Sequence, residues 1–221
     1  MAVPRLDATM GIADAEGFRP VSLETDRGPV EARYYPVPDG ELAVLWVGGV
    51  GGGFDTPARG LYPRLAADLT ADGIASLRLR FRDPRDLEQA VYDVLCGLSF
   101  LGRQGIRHVA LVGHSFGGAV VIQAAVIQAA VSNGSAVRTV VTLATQSYGT
   151  DPVTDLACPI LLVHGEADEI LSPDCSIHVH RKAREPKKLV LVPGTGHAMD
   201  EASEAVCREL RDWLKAYLLE R

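Results

Sequence analysis

Apolar positions along the chain fall in short, regularly spaced blocks. "VSLET" and "VEARYYPV" alternate apolar and polar residues on either side of the turn signal "DRGP", which predicts two antiparallel strands. "LAVLWV", "VALVG", "TVVTLA", "PILLVHG" and "KLVLVPG" are instead continuous apolar runs, expected of buried strands covered on both faces. "IASLRLRF" reads as one more strand.

Helical spacing separates these runs. "ARGLYPRLAADLTADG" carries Pro63 where a first helical turn tolerates it. "DLEQAVYDVLCGLSFLGRQG" sets Leu87, Val91, Val94, Leu95, Leu98 and Leu101 on one side and stops at a glycine. "GAVVIQAAVIQAAV" reads as a buried helix, its doubled "VIQAA" being too short for a repeat unit. A closing helix aligns Val206, Leu210, Trp213, Leu214 and Tyr217. Strands alternating with helices predict an α/β architecture with a mostly parallel central sheet and helices on both faces. Residues 1–20 show no period and read as an extended or loose lead-in; no linker interrupts residues 21–221, which read as a single domain.

Composition narrows the function classes. With 221 residues the chain is long enough for one sizeable core. A formal net charge of −6 disfavours nucleic acid, which calls for a basic face. Cys96, Cys158, Cys175 and Cys207 are widely spread with no Cys-x-x-Cys pair, so they are expected as reduced thiols and no metal site is expected. The first residues are acidic where a secretory peptide needs an apolar centre, and no apolar run reaches the roughly 18 residues of a membrane helix. A cytoplasmic protein with a small-molecule substrate, no cofactor and no membrane partner is the expectation; the oligomeric state is left open.

The candidate chemistry centres on "LVGHSFGGAV". Ser115 stands between Gly113 and Gly117 where a strand turns sharply into a helix. Ligands of open α/β sheets bind at the carboxyl ends of strands, and such a turn lifts the hydroxyl clear of the sheet. The turn crowds the positions two residues either side, which explains glycine at both. A serine hydroxyl needs a base to act as nucleophile, and the base needs an orienting acid. Downstream, "HGEADEI" offers Asp168, with Glu166 and Glu169 as rivals, and "VPGTGHAMD" offers His197, each just after a strand. Of the other histidines, His114 is expected to point away from the nucleophile and His164 to bond loop backbone, with His108, His178 and His180 in surface segments.

Gly-x-Ser-x-Gly in this strand–turn–helix context, with the order Ser, Asp, His, resembles the nucleophile elbow and triad of the α/β-hydrolase superfamily, from about residue 21 onward. The resemblance implies a three-layer α/β-hydrolase fold and an acyl-enzyme mechanism. Ser115 would attack a carboxylic ester or thioester, His197 would shuttle the proton and Asp168 would orient His197. It also implies an oxyanion hole built from the backbone N–H of Phe116 and of Val50 or Gly51, in the glycine-rich "GGVGGGF" after a strand. Only "TQSYGTDPVTDLAC" follows Ala144 before the next strand, so no lid domain is expected and the site should be open, similar to the small lidless dienelactone-hydrolase-like and carboxylesterase-like branch. Dienelactone hydrolases carry a cysteine nucleophile where Ser115 stands. Gln146 and Tyr148, and at the end of "LRLRFR" Arg82, are candidate substrate contacts; for Arg82 the competing expectation is an ion pair with Asp86 or Asp93. A ligand-binding receptor on the same fold, or an acyltransferase or perhydrolase using the same triad, are the alternatives.

Overall fold

A computed structural model describes residues 6–131 and 136–219. The first five residues of the lead-in and the last two of the closing-helix sequence lie outside the described residues. Along the chain the elements are β1 (Asp7–Met10), β2 (Arg19–Glu24), β3 (Val30–Tyr35), β4 (Leu42–Val47), α1 (Leu61–Asp68), β5 (Ile74–Leu79), α2 (Leu87–Arg103), β6 (His108–His114), α3 (Phe116–Val131), β7 (Val137–Leu143), β8 (Ile160–Gly165), α4 (Asp174–Lys182), β9 (Lys187–Val192) and α5 (Ser203–Leu219).

The strands form one sheet in the order β1-β2-β3-β5-β4-β6-β7-β8-β9. β1 to β3 join antiparallel, β3 meets β5 antiparallel, and the pairs from β5 through β9 are parallel. The apolar runs of β4, β6, β7 and β8 occupy the centre because helices cover them on both sides. On one face Val94 and Leu98 of α2 and Val120 and Val121 of α3 pack with Leu45, Leu77 and Leu111. On the other, Leu61 and Leu65 of α1 and Val206, Leu210 and Leu214 of α5 pack with Val44, Val112, Val141 and Val163. Each such side chain taken fully from water contributes about 1.5–3 kcal/mol, so the two layers supply most of the driving force.

Four sequence expectations shift. The lead-in is not loose throughout: Asp7–Met10 pairs in register with Met10 opposite Val21, and its exposed side chains left no period to read. β9 is an edge strand and only partly buried, with Lys187 and Lys188 at its start, although "KLVLV" reads as fully covered. α4 escaped the apolar pattern because only Ser176 and Val179 are buried along its length. β5 stops at Leu79, so of the arginines in "LRLRFR" only Arg78 lies in the strand, and Arg80 pairs with Glu31 at 2.7 Å.

The connection from β7 to β8 spans residues 144–159 and contains a short 3-10 turn, Asp151–Asp155, with no lid domain over the sheet. The carboxyl ends of β4, β6 and β8 therefore reach an open rim. Among the described residues no helix is long and apolar enough to cross a membrane, and the four cysteines are free.

Candidate active site

Ser115 occupies the single residue between the end of β6 and the start of α3, with φ 56°. A left-handed backbone is unfavourable for a residue with a side chain and persists only where the surroundings hold it. The N–H of Ser115 is fixed to Leu143 O at 2.8 Å, and its carbonyl accepts from Gly118 N at 3.0 Å. The flanking glycines are required by contact. A Cβ on Gly113 would stand 2.2 Å from Gly117 O, and one on Gly117 would stand 2.3 Å from Gly48 O. The loop after β4 thus presses directly on the turn, and a Cβ on Gly49 would lie 3.6 Å from Ser115 Oγ.

Burial separates Asp168 from its two neighbouring carboxylates. Asp168 is buried, whereas Glu166 and Glu169 are exposed. Its Oδ1 accepts from Ile170 N at 2.8 Å and Leu171 N at 2.9 Å. Its Oδ2 accepts from His197 Nδ1 at 2.7 Å. Burial pushes the Asp168 carboxyl up, but the hydrogen bonds from Leu171, His197 and Ile170 outweigh it and hold the group below the ordinary carboxylate value. His197 Nδ1 therefore faces a carboxylate, which puts the proton of the neutral ring on Nδ1 and leaves Nε2 as the basic nitrogen.

The loop bearing His197 is clasped from three sides. Gly165, at the end of β8, has its missing Cβ 2.1 Å from Thr195 O, so only glycine lets that loop lie against the strand. The loop after β4 is tied to it through Ala58 N–Ala198 O at 2.6 Å and Arg59 N–Asp200 Oδ1 at 2.9 Å. His114 Nε2–H donates to His197 O at 3.0 Å, and the two imidazoles stand 4.9 Å apart. His114 thus anchors the backbone of His197, a contact the sequence did not suggest. Burial lowers its pKa, so it serves as a neutral donor, with Nδ1 left unpartnered.

These contacts bring Asp168 and His197 together and set the His197 loop beside the residue preceding Ser115. Among the described residues neither Ser115 Oγ nor His197 Nε2 has a hydrogen-bond partner. In sites without substrate such bonds are often long and tighten on binding.

A cleft of about 870 Å³ is lined by Phe116, the residue after Ser115, while Ser115, Asp168 and His197 themselves do not line it. Val50 and Phe116 both line it, whereas Gly51 lies against Asp55, a Cβ there standing 3.4 Å from Oδ2. Leu87, Val91 and Ile127 form its apolar walls, and Gln146 and Tyr148 stand at its edge, joined by Gln146 Nε2–Tyr148 O at 2.9 Å. Arg82 is not there. It forms an ion pair with Asp93, whose side chain is fully buried, and donates to the carbonyls of Arg27 and Gly28. The contacts of Arg82 match the ion-pair expectation: its guanidinium is engaged by Asp93 and the turn before β3, and it is the following residues, from Asp83 to Glu88, that line the cleft. The sequence reading missed the clasp by His114, the contact of His164 with Asp168 at 3.1 Å, and the cleft walls from α2 and α3. A histidine four positions before the acid was a legible signal; the walls depend on packing between helices.

No family model matches the sequence, and no curated protein matches it. Among solved structures the chain is similar to Est1E from Butyrivibrio proteoclasticus, with TM-score 0.77 over 91% of this chain and 99% of that one at 16% identity. It is similar to a dienelactone hydrolase from Anabaena variabilis, with TM-score 0.75 over 98% and 100% at 18% identity. It is also similar to the esterase domain of a Rhodothermus marinus protein, with TM-score 0.71 over 96% and 99% at 19% identity. With the sheet order, the strand-end serine and near-complete coverage of each neighbour, the chain has the α/β-hydrolase fold.

Proposed function

We propose that the protein is a serine hydrolase that cleaves a carboxylic ester or thioester. The single observation that carries this reading is the left-handed Ser115, held at a strand end on the same rim as the Asp168–His197 pair. In the proposed reaction Ser115 Oγ attacks the carbonyl carbon as its proton passes to His197 Nε2. The N–H groups of Phe116 and Val50 donate to the developing oxyanion. The His197 proton then moves to the leaving alcohol or thiol as the acyl bond to it breaks. Water, deprotonated by His197, releases the acid and restores Ser115. Asp168 stays ionised throughout and stabilises the imidazolium.

The cleft supports an apolar, uncharged acyl group. Phe116, Leu87, Val91 and Ile127 give it an apolar lining, while its charged lining is mostly acidic, Asp83, Asp86 and Glu88 with Arg85. The Asp86 side chain caps α2 by accepting from Gln89 N, so the helix end that could receive an anion is already occupied. Est1E, one of the structural neighbours, is also known with ferulic acid bound, and an aromatic acyl group of that kind suits the apolar lining of this cleft.

Two measurements test the reading. A fluorophosphonate probe should label the wild-type protein and leave Ser115→Ala unlabelled, and ester turnover should fall about a thousandfold or more in that variant; equal labelling of both proteins removes the proposal. Among chromogenic esters of increasing acyl length, uncharged chains should outperform carboxylate-terminated chains of equal length, and the gap should narrow as salt is added.

A further inference from the structure

We propose that His164 is a positioning residue, which acts through Asp168 by fixing the carboxylate oxygen that meets His197. The role belongs to the serine-hydrolase reading, but the geometry that carries it stands on its own. His164 lies in β8 with no exposure to solvent. Its Nε2 faces two acceptors, Leu171 O at 2.9 Å and Asp168 Oδ2 at 3.1 Å. Neither can donate, so Nε2 carries the proton. Its Nδ1 lies 2.7 Å from Ser176 Oγ on α4, and in the neutral ring that nitrogen accepts the hydroxyl proton. Both ring nitrogens are thereby satisfied and the imidazole cannot rotate. Burial lowers the pKa of His164, in keeping with a neutral donor.

Asp168 itself sits in a loop. The two backbone bonds from Ile170 and Leu171 pin Oδ1 and leave Oδ2 free to swing. The N–H of His164 is bonded to Leu171 O and stands 3.1 Å from Oδ2, so it limits that freedom from the strand side and ties the loop carboxylate to β8. His197 then meets Oδ2 in one place. The titratable groups that face this pair are His197 and His114, while α4 contributes the uncharged Ser176.

The test separates the donor from mere space-filling. His164→Gln places an amide N–H near the Nε2 position and keeps the donor; His164→Asn keeps reach to Ser176 and loses it. His164→Asn should lower kcat about tenfold to hundredfold, the scale of a small misplacement of a reacting group, with KM nearly unchanged. The acidic limb of its kcat/KM profile should move to higher pH, because a carboxylate with one donor fewer holds an imidazolium more strongly. His164→Gln should recover most of the loss and restore the limb. The low-field proton resonance of the His197 Nδ1–H···Asp168 bond provides a readout independent of turnover. It should weaken or shift in His164→Asn and persist in His164→Gln. Should His164→Asn not fold, Ser176→Ala releases the ring's other anchor and should shift the same resonance and limb by a smaller amount. Equal losses in the Asn and Gln variants, or a resonance that neither His164→Asn nor Ser176→Ala moves, overturn the proposal. A wild-type protein with no turnover and no probe labelling, yet with the resonance behaving as described, would remove the hydrolase reading and leave the positioning role standing.

Discussion

Single residues carry distinct burdens in this molecule, and the contrast between Ser115 and Arg82 makes the point. Ser115 bears backbone strain with no structural return of its own, whereas Arg82 neutralises a carboxylate sealed between α2 and the turn before β3. Substituting Arg82 by Met should therefore cost about 3–5 kcal/mol of stability, because Asp93 is left charged and unpaired in the interior. A denaturant titration measures that loss, and kcat at permissive temperature should stay close to wild type; a selective loss of activity toward acidic esters would instead place Arg82 at the substrate. The elbow glycines were readable from spacing alone, since the chemistry of a sharp turn demands them. The destination of Arg82 was only half readable: Asp93 was in view as a partner, but the point where β5 ends depends on its pairing with β3 and β4, which no local pattern encodes.

At the scale of elements, close approach decides what the sequence could reveal. α2 was predicted from its apolar stripe, yet the reason for Gly97 within it emerges only from packing: a Cβ there would meet Leu45 Cδ1 at 2.8 Å and Leu79 Cδ1 at 3.0 Å. Gly97→Val should overpack this contact and lower the melting temperature, with a stability cost of about 1–3 kcal/mol. The loop after β4 shows a related dependence. Arg78 donates to Phe54 O at 2.8 Å, and Arg33 stacks on the Phe54 ring at 4.4 Å, so two neighbouring strands brace the loop that presents Val50. The glycine run announced that this loop approaches something closely, and the arginines that steady it were visible only as part of an alternating strand. β9 misled for the opposite reason: its apolar run is genuine, but nothing lies beyond it in the sheet.

For the molecule as a whole, the buried histidines tie stability to pH. Burial lowers the pKa of both His114 and His164, so the unfolded chain takes up their protons more readily than the folded one. Stability contributed in this way is present above the unfolded histidine value of about 6.5 and is lost as pH falls through the lower folded values. Asp168, also held low, adds a further loss at more acidic pH with the same sign. The urea midpoint should thus fall between pH 7.5 and 5.5, and less so in His114→Gln; a midpoint that rises on acidification contradicts the neutral assignment.

β9 joins the sheet through β8 alone and leads directly into the loop that holds His197. The durability of the His197 loop is therefore tied to an edge of the sheet that has a neighbour on one side only. Mild denaturant should peel this margin back first and silence turnover while Trp46, deep under α1, still fluoresces as in the native state. In practice the shelf life of activity would be governed by this seam rather than by global unfolding, and reinforcing it is where engineering for endurance would begin.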